Sequence, residues 1–216
     1  MRIACIAAVK MEVNWLLGQL SHPERREKDR VRMWVGGLGA DEVAVFLCGM
    51  GPRRARESLE KFAAFYRADY NFHLGVCGAL VGDLPRYCPV AALRIRATYE
   101  HGLQPIELAF PDSVTPESSG LSCPIRKGHF LTHDQPVFSS RTRDYLHRKF
   151  SALCVDMEAW EVASYSRRMG IPLTVIKAVS DFADNESAED FVFHARLAAE
   201  AAGRVVYSLI AHPVNW

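Results

Sequence analysis

The chain has 216 residues, 49% of them hydrophobic and 24% charged, the profile of one large globular domain or at most two small ones. A chain this long buries roughly 70% of the surface it exposes when unfolded, so it holds a core without disulfides or a structural metal. The 26 basic and 25 acidic residues leave a formal charge of +1, which argues against a dedicated nucleic-acid binder with a strongly basic face.

Residues 3–9 (IACIAAV) form a continuous apolar run, as expected of a strand buried on both faces. A helical pattern follows from about Met11 to Leu20. The charged stretch SHPERREKDR at 21–30 reads as a solvated loop, and short strands follow near 31–36 and 42–48. After the turn GMGP at 49–52, Ala55, Leu59, Phe62, Ala63 and Tyr66 fall at helical spacing. Strands are predicted at about 70–77, 88–97 and 104–110, and PDSVTPESSG at 111–120 reads as a loop or lid. A strand near 125–132 leads into DQPVFSS, where Ser139 or Ser140 can cap a helix to about Lys149. Strand 152–156, helix 157–169 ended by Gly170 and Pro172, and the nearly all-apolar strand 173–179 come next. The last helix carries Val192, Ala195, Ala199, Ala202, Val206 and Leu209 as its apolar face. Strands alternating with helices, with no repeat or linker, predict a single α/β domain over 1–216 with a partly parallel sheet.

No apolar run approaches the roughly 18 residues needed to cross a bilayer, so no membrane segment is expected. The six cysteines, Cys5, Cys48, Cys77, Cys88, Cys123 and Cys154, contain no CxxC pair and suit neither a zinc finger nor a disulfide framework. A reducing cytoplasm is the expected setting.

In such sheets ligands bind at the carboxyl ends of strands. That rule selects Glu12, the glycine turns CGMGP (48–52) and GVCGAL (75–80), VDMEA (155–159) and SDFAD (180–184). Glu12 and Glu158 also have a purely structural reading, as acids that complement a helix dipole. Asp181 stands where a buried strand emerges; desolvation there raises a carboxyl pKa and suits a general acid. The glycine turns match neither GxGxxG nor the P-loop, which argues against a dinucleotide fold or an ATPase. His101, His129 and His133 lack zincin spacing, so no metal is expected. Cys77 has no basic neighbour in sequence and is not read as a nucleophile. Trp15, Trp34, Trp160 and Trp216 are expected in the core or at a subunit contact.

The segments RIACIAAVKMEVNWLL, LCGMGPRRA, HLGVCGALVGD and VDMEAWEVASYSRRMGIPLTVIKAVSDFAD, taken in order, resemble the nucleoside phosphorylase and nucleosidase superfamily. Within it they are most similar to the methylthioadenosine/S-adenosylhomocysteine nucleosidase branch. The likeness covers most of the chain, strong over 153–184 and weak between about 84 and 130. It implies a three-layer α/β/α domain with a mixed, barrel-like central sheet. It also implies hydrolysis of the N-glycosidic bond of a 5′-substituted adenosine, no cofactor, a homodimer, and a purine nucleoside as the small-molecule partner. Under the resemblance Glu12 activates water, Asp181 protonates purine N7 with Ser180 supporting it, and Met157 and Glu158 hold the ribose. Phe191 falls beside the 5′ substituent or base, and Val76, Cys77 and Gly78 form the third turn of the substrate site.

This chain departs from that pattern in two places. Val76 stands where the branch has Ser, and His73 where phosphorylases have Arg, which favours water over phosphate as nucleophile. Arg53 and Arg54, after the GMGP turn, are the candidate anion contacts at a helix N-terminus. In DQPVF, Pro136 removes a backbone donor from a segment whose backbone reads the purine edge in related enzymes. Asp181 in place of Asn favours a 6-amino purine, by the same analogy. Two alternatives stay open: a nucleoside phosphorylase using Arg53 or Arg54, and a non-catalytic nucleoside-binding or storage protein.

Overall fold

The apolar runs of the sequence become the strands of one mixed sheet, seen in a computed structural model that describes residues 1–29, 31–100, 103–110 and 123–212. Strands β1 (Arg2–Ala7), β5 (Tyr70–Ala79) and β10 (Leu173–Asp181) lie at its centre, almost wholly buried. β4 (Asp41–Leu47) runs parallel to β1, which is parallel to β5, which is parallel to β10. On the other side of β10 come β6 (Pro89–Ala97), β8 (Arg126–Thr132) and β9 (Cys154–Asp156).

β9 then pairs back to β5, so that β5, β10, β6, β8 and β9 close into a five-stranded barrel. The closing pair is antiparallel and short, with Gly78 opposite Val155 and Ala79 opposite Cys154. Because the pair is antiparallel, the carboxyl end of β5 lies beside the amino end of β9. The residues that follow β9 therefore run back along β5, which brings Met157 and Glu158 to the same cleft as Val76, Cys77 and Gly78.

Helices cover both faces. α1 (Lys10–Leu17) and α5 (Ser187–Ala211) bury Val13, Leu16, Ala198, Ala202 and Val206 against one side. α2 (Pro52–Phe62) and α4 (Ala159–Met169) bury Leu59, Phe62, Trp160 and Val162 against the other, with Phe62 stacked on Phe46 at 4.3 Å. Each such side chain contributes about 1.5–3 kcal/mol on full burial. α3 (Ser140–Phe150) packs Leu146 onto Leu131 and Val155 of the barrel. This is the expected three-layer α/β/α arrangement. No described helix is long and apolar enough to cross a membrane.

Three expectations change. The charged stretch read as a loop is strand β2 (Ser21–Lys28), with every residue exposed and antiparallel to β3 (Val31–Leu38). Ladder pairing uses the backbone alone, and a charged edge strand resists pairing with other chains. Of 104–110, only Ile106–Glu107 forms a strand, β7, against Arg94 and Ile95. Val192 is 77% exposed, because the first turns of α5 flank a cleft and its buried stripe begins at Ala195. The segment 111–120, His101 and Trp216 lie outside the described residues. Trp160 is buried, whereas Trp15 and Trp34 are partly exposed.

Candidate active site

α1 starts directly after β1, which places Glu12 in its first turn with the side chain folded back over the strand end. Its Oε2 accepts hydrogen bonds from the amides of Ala8 (2.9 Å) and Val9 (3.1 Å), and its Oε1 from Val76 (3.0 Å). Three amides thus fix a buried carboxylate whose two oxygens both act as acceptors. Gly75 makes the approach possible: its φ is +149°, and a β-carbon there would lie 2.2 Å from Oε1.

The short strand β9 delivers Asp156, Met157 and Glu158 to the start of α4. Glu158 is buried, and its Oε1 accepts the Gly51 amide at 2.7 Å. Burial pushes its carboxyl up to about 8; Lys177 opposes that rise, while Asp156 and Glu12 add to it. Behind it lies Lys177 of β10, fully buried, with Nζ 3.3 Å from Asp156 Oδ2 and 4.0 Å from Glu158 Oε2. Burial alone lowers an ammonium pKa; here the carboxylates of Asp156, Glu12 and Glu158 outweigh it and hold Lys177 charged.

His73 of β5 donates Nδ1–H to the Ile6 carbonyl at 2.9 Å and turns Nε2 toward Asp156 at 3.7 Å. Burial and the nearby Lys177 hold the imidazole below its ordinary pKa. Among the described residues, His73, Asp156 and Glu158 bring one potential ligand atom each within 4.8 Å of one another. The Lys177 ammonium already neutralises that pocket of charge, so these residues form an ion-pair cluster rather than a cation cage.

Asp181 ends β10 just past a bulge in its pairing with β5, a device that re-aims a side chain. Its Oδ2 accepts the Ser180 hydroxyl at 2.7 Å and its Oδ1 the Ala183 amide at 3.0 Å. Desolvation outweighs these bonds and raises the carboxyl above its ordinary pKa. Gly78 faces it without a side chain; a β-carbon there would lie 2.9 Å from Oδ1.

Glu12, Asp156, Glu158 and Asp181 line one cleft of about 440 Å³, within the size range of small-molecule sites. Glu12, Val76, Cys77, Gly78, Met157, Glu158, Ser180, Asp181 and Phe191 all face it. Met50, Pro136, Val137 and Phe138 make much of its wall apolar. Arg53 and Arg54 do not line it: both are exposed on α2. Burial pushes the Cys77 thiol well above its ordinary pKa, the opposite of an activated nucleophile. Sequence reasoning missed Lys177, and it assigns no role to Asp156 or Gly75, although both lie inside the selected segments VDMEA and GVCGAL. One signal was available, since a lone lysine inside LTVIKAV is a charge in a strand otherwise fit only for burial.

The model of the Phosphorylase superfamily matches residues 2–211. A 5′-methylthioadenosine/S-adenosylhomocysteine nucleosidase of Halalkalibacterium halodurans is 27% identical over 202 residues, covering 86% of this chain and 87% of that protein. Among solved structures, a futalosine hydrolase mutant of Helicobacter pylori superposes with a TM-score of 0.88 at 19% identity, covering 97% of this chain and 98% of that one. The Neisseria meningitidis 5′-methylthioadenosine/S-adenosylhomocysteine nucleosidase in complex with methylthio-immucillin-A gives 0.86 at 20% identity, covering 97% and 98%. With its barrel-closed sheet and a matching family model spanning nearly every residue, the chain belongs to the Phosphorylase superfamily.

Proposed function

We propose that this protein is a purine nucleosidase that hydrolyses the N-glycosidic bond of a 5′-substituted adenosine. One observation carries the reading: a single cleft holds two carboxyl groups in contrasting environments. Glu12 is an acceptor held by three amides, while Asp181 is desolvated and raised toward its acid form. Opposed environments of this kind divide acid and base roles between two carboxyls at one pH. The relatives named as methylthioadenosine/S-adenosylhomocysteine nucleosidases support the substrate class.

In this mechanism the C1′–N9 bond breaks with its electron pair passing to the purine, and Asp181 donates its proton to N7, so the base leaves neutral. Positive charge grows on the ribose, where the carboxylates of the cleft stabilise it. Water bonds to C1′ from the opposite face and gives its proton to Glu12, as in inverting glycosidases. Glu158 and Met157 hold the ribose hydroxyls. The apolar wall formed by Met50, Val137, Phe138 and Phe191 suits an uncharged, apolar 5′ group.

Water is favoured over phosphate because Glu12 already takes the amides of Ala8, Val9 and Val76. An anion in that corner would meet a carboxylate instead of free donors, and Arg53 and Arg54 do not line the cleft. The test is base release from methylthioadenosine, adenosine and inosine, with and without phosphate. Release of adenine without phosphate is expected. Strict phosphate dependence would establish a phosphorylase, and no release from a broad nucleoside panel would establish a binding protein. The homodimer implied by the resemblance and the reducing cytoplasm expected from the cysteines belong to this proposal, and sedimentation tests the first.

A further inference from the structure

The cleft is lined by groups whose positions depend on one residue to which no role in the reaction has been assigned. Asp156 lines the cleft with its side chain almost wholly buried, and each of its oxygens has work to do. Oδ1 accepts the Thr132 hydroxyl at 2.8 Å, and that hydroxyl in turn accepts the Trp160 amide at 2.9 Å. Oδ2 accepts the Ala159 amide at 2.9 Å and lies 3.3 Å from Lys177 Nζ. One carboxylate thereby ties the first turn of α4, which follows Met157 and Glu158, to β8 and to the buried ammonium of β10.

Lys177 shows the same dependence from the other side. Its Nζ is buried without a hydrogen bond of good geometry, so charge attraction holds it in place. Asp156 is its nearest counter-charge, with Glu158 at 4.0 Å. Lys177 is not on the cleft wall, but a β-carbon added at Gly75 would lie 3.2 Å from Nζ and 2.2 Å from Glu12 Oε1. The ammonium therefore sits just behind both the water-activating and the ribose-holding carboxylates.

From this geometry we infer that Asp156 is a positioning residue for the reaction: it anchors Lys177 and the α4 turn so that Glu12 and Glu158 face the ribose in fixed places. The inference rests on the nucleosidase reading for its kinetic part. Its electrostatic part does not need it. The charged and titratable groups that bear on Glu158 are Lys177 from β10, Asp156 from β9, Glu12 from α1 and the Cys48 thiol after β4. His73 from β5 bears on Asp156. Burial works against an ionised Asp156, and Lys177 and His73 outweigh it to hold the carboxyl below its ordinary pKa.

The experiment compares Asp156→Asn, Lys177→Met and the double variant, each checked for folding by thermal unfolding. Asn keeps an oxygen for the Ala159 amide and removes the charge, while its NH2 faces the Thr132 hydroxyl oxygen and can donate to it. Methylthioadenosine cleavage by Asp156→Asn should fall about 10²-fold in kcat/KM, the cost of a small misplacement of reacting groups. Because Asp156 acts through Lys177, the charge-neutral double variant should be no worse than Lys177→Met alone. Should Asp156→Asn fail to fold, that second comparison decides by itself. A kcat/KM for Asp156→Asn within threefold of the parent overturns the inference, as does a double loss equal to the product of the single losses.

A second readout is independent of substrate: the titration of the Glu158 carboxyl, followed by 13C NMR in the ligand-free protein. Loss of the Asp156 charge should move it down from about 8, and an unmoved titration overturns the inference. If the parent protein releases no base at all, the nucleosidase reading fails, and this titration still decides the role of Asp156.

Discussion

Gly75 stands directly against the carboxylate of Glu12: a β-carbon on residue 75 would lie 2.2 Å from Oε1 and 2.7 Å from Cδ. Gly75→Ala should therefore displace Glu12. The obstacle is the end of a flexible side chain, so the fold adjusts, but the carboxylate cannot stay where three amides hold it. Activity should fall about 10²-fold. Backbone strain at a φ of +149° should cost of order 1–3 kcal/mol, lowering Tm without unfolding the protein at room temperature. Full activity in a folded Gly75→Ala variant would remove Glu12 from the mechanism.

Asp181→Asn tests the acid. The amide keeps an acceptor for the Ala183 N–H, so the strand end should survive and Tm should change little. Loss of a positioned proton donor costs about 10²- to 10⁴-fold, read as kcat for adenine release. Activity above a tenth of the parent value would show that N7 gains its proton elsewhere.

Glu158 links stability to pH. Its carboxyl is raised from 4.5 to about 8 in the folded protein, so the folded state holds a proton that the unfolded chain has lost between those values. Stability from this group is full below about pH 4.5 and is lost as pH rises through 8. Tm should fall from pH 5.5 to 8.5, and Glu158→Gln should flatten that slope. An equal slope in both proteins would show that another group sets it.

Phe191 and Val192 are neighbours with different surroundings. Phe191 lines the cleft and is 38% exposed, while Val192 is 77% exposed and does not line it. Phe191→Ala should raise KM for methylthioadenosine about tenfold, the worth of roughly 1.4 kcal/mol of apolar contact. Val192→Ser should leave KM unchanged and stability within about 0.5 kcal/mol. Equal effects of the two changes would put the 5′ group on the outer face of α5.

Much of the site was legible before folding because its signals are local. A buried strand must be an apolar run, a helix must repeat its apolar residues every three or four positions, and carboxylates at strand ends mark where such sheets bind ligands. Those rules located Glu12, Glu158 and Asp181, and the order of their segments identified the family. They mistook β2 for a loop, because an edge strand exposed on both faces carries no burial pattern. They also placed Val192 on the buried face of α5, because periodicity cannot say where a helix stops covering the sheet.

The sequence by itself determined the α/β alternation, the single domain and the three acids at their strand ends, all consequences of hydrophobic periodicity within short windows. The tertiary structure alone decided how the barrel closes through β5 and β9. It also decided what those acids meet: Val76 64 residues from Glu12, Gly51 107 residues from Glu158, and the ammonium of Lys177 among them. The physical reason is that a carboxyl's protonation is the sum of its desolvation and of charges a few ångströms away. Both are properties of distances between segments that no local pattern encodes. The near-cancelling net charge thus conceals a concentrated arrangement, in which Glu12, Asp156, Glu158 and Lys177 are buried together at one end of the barrel.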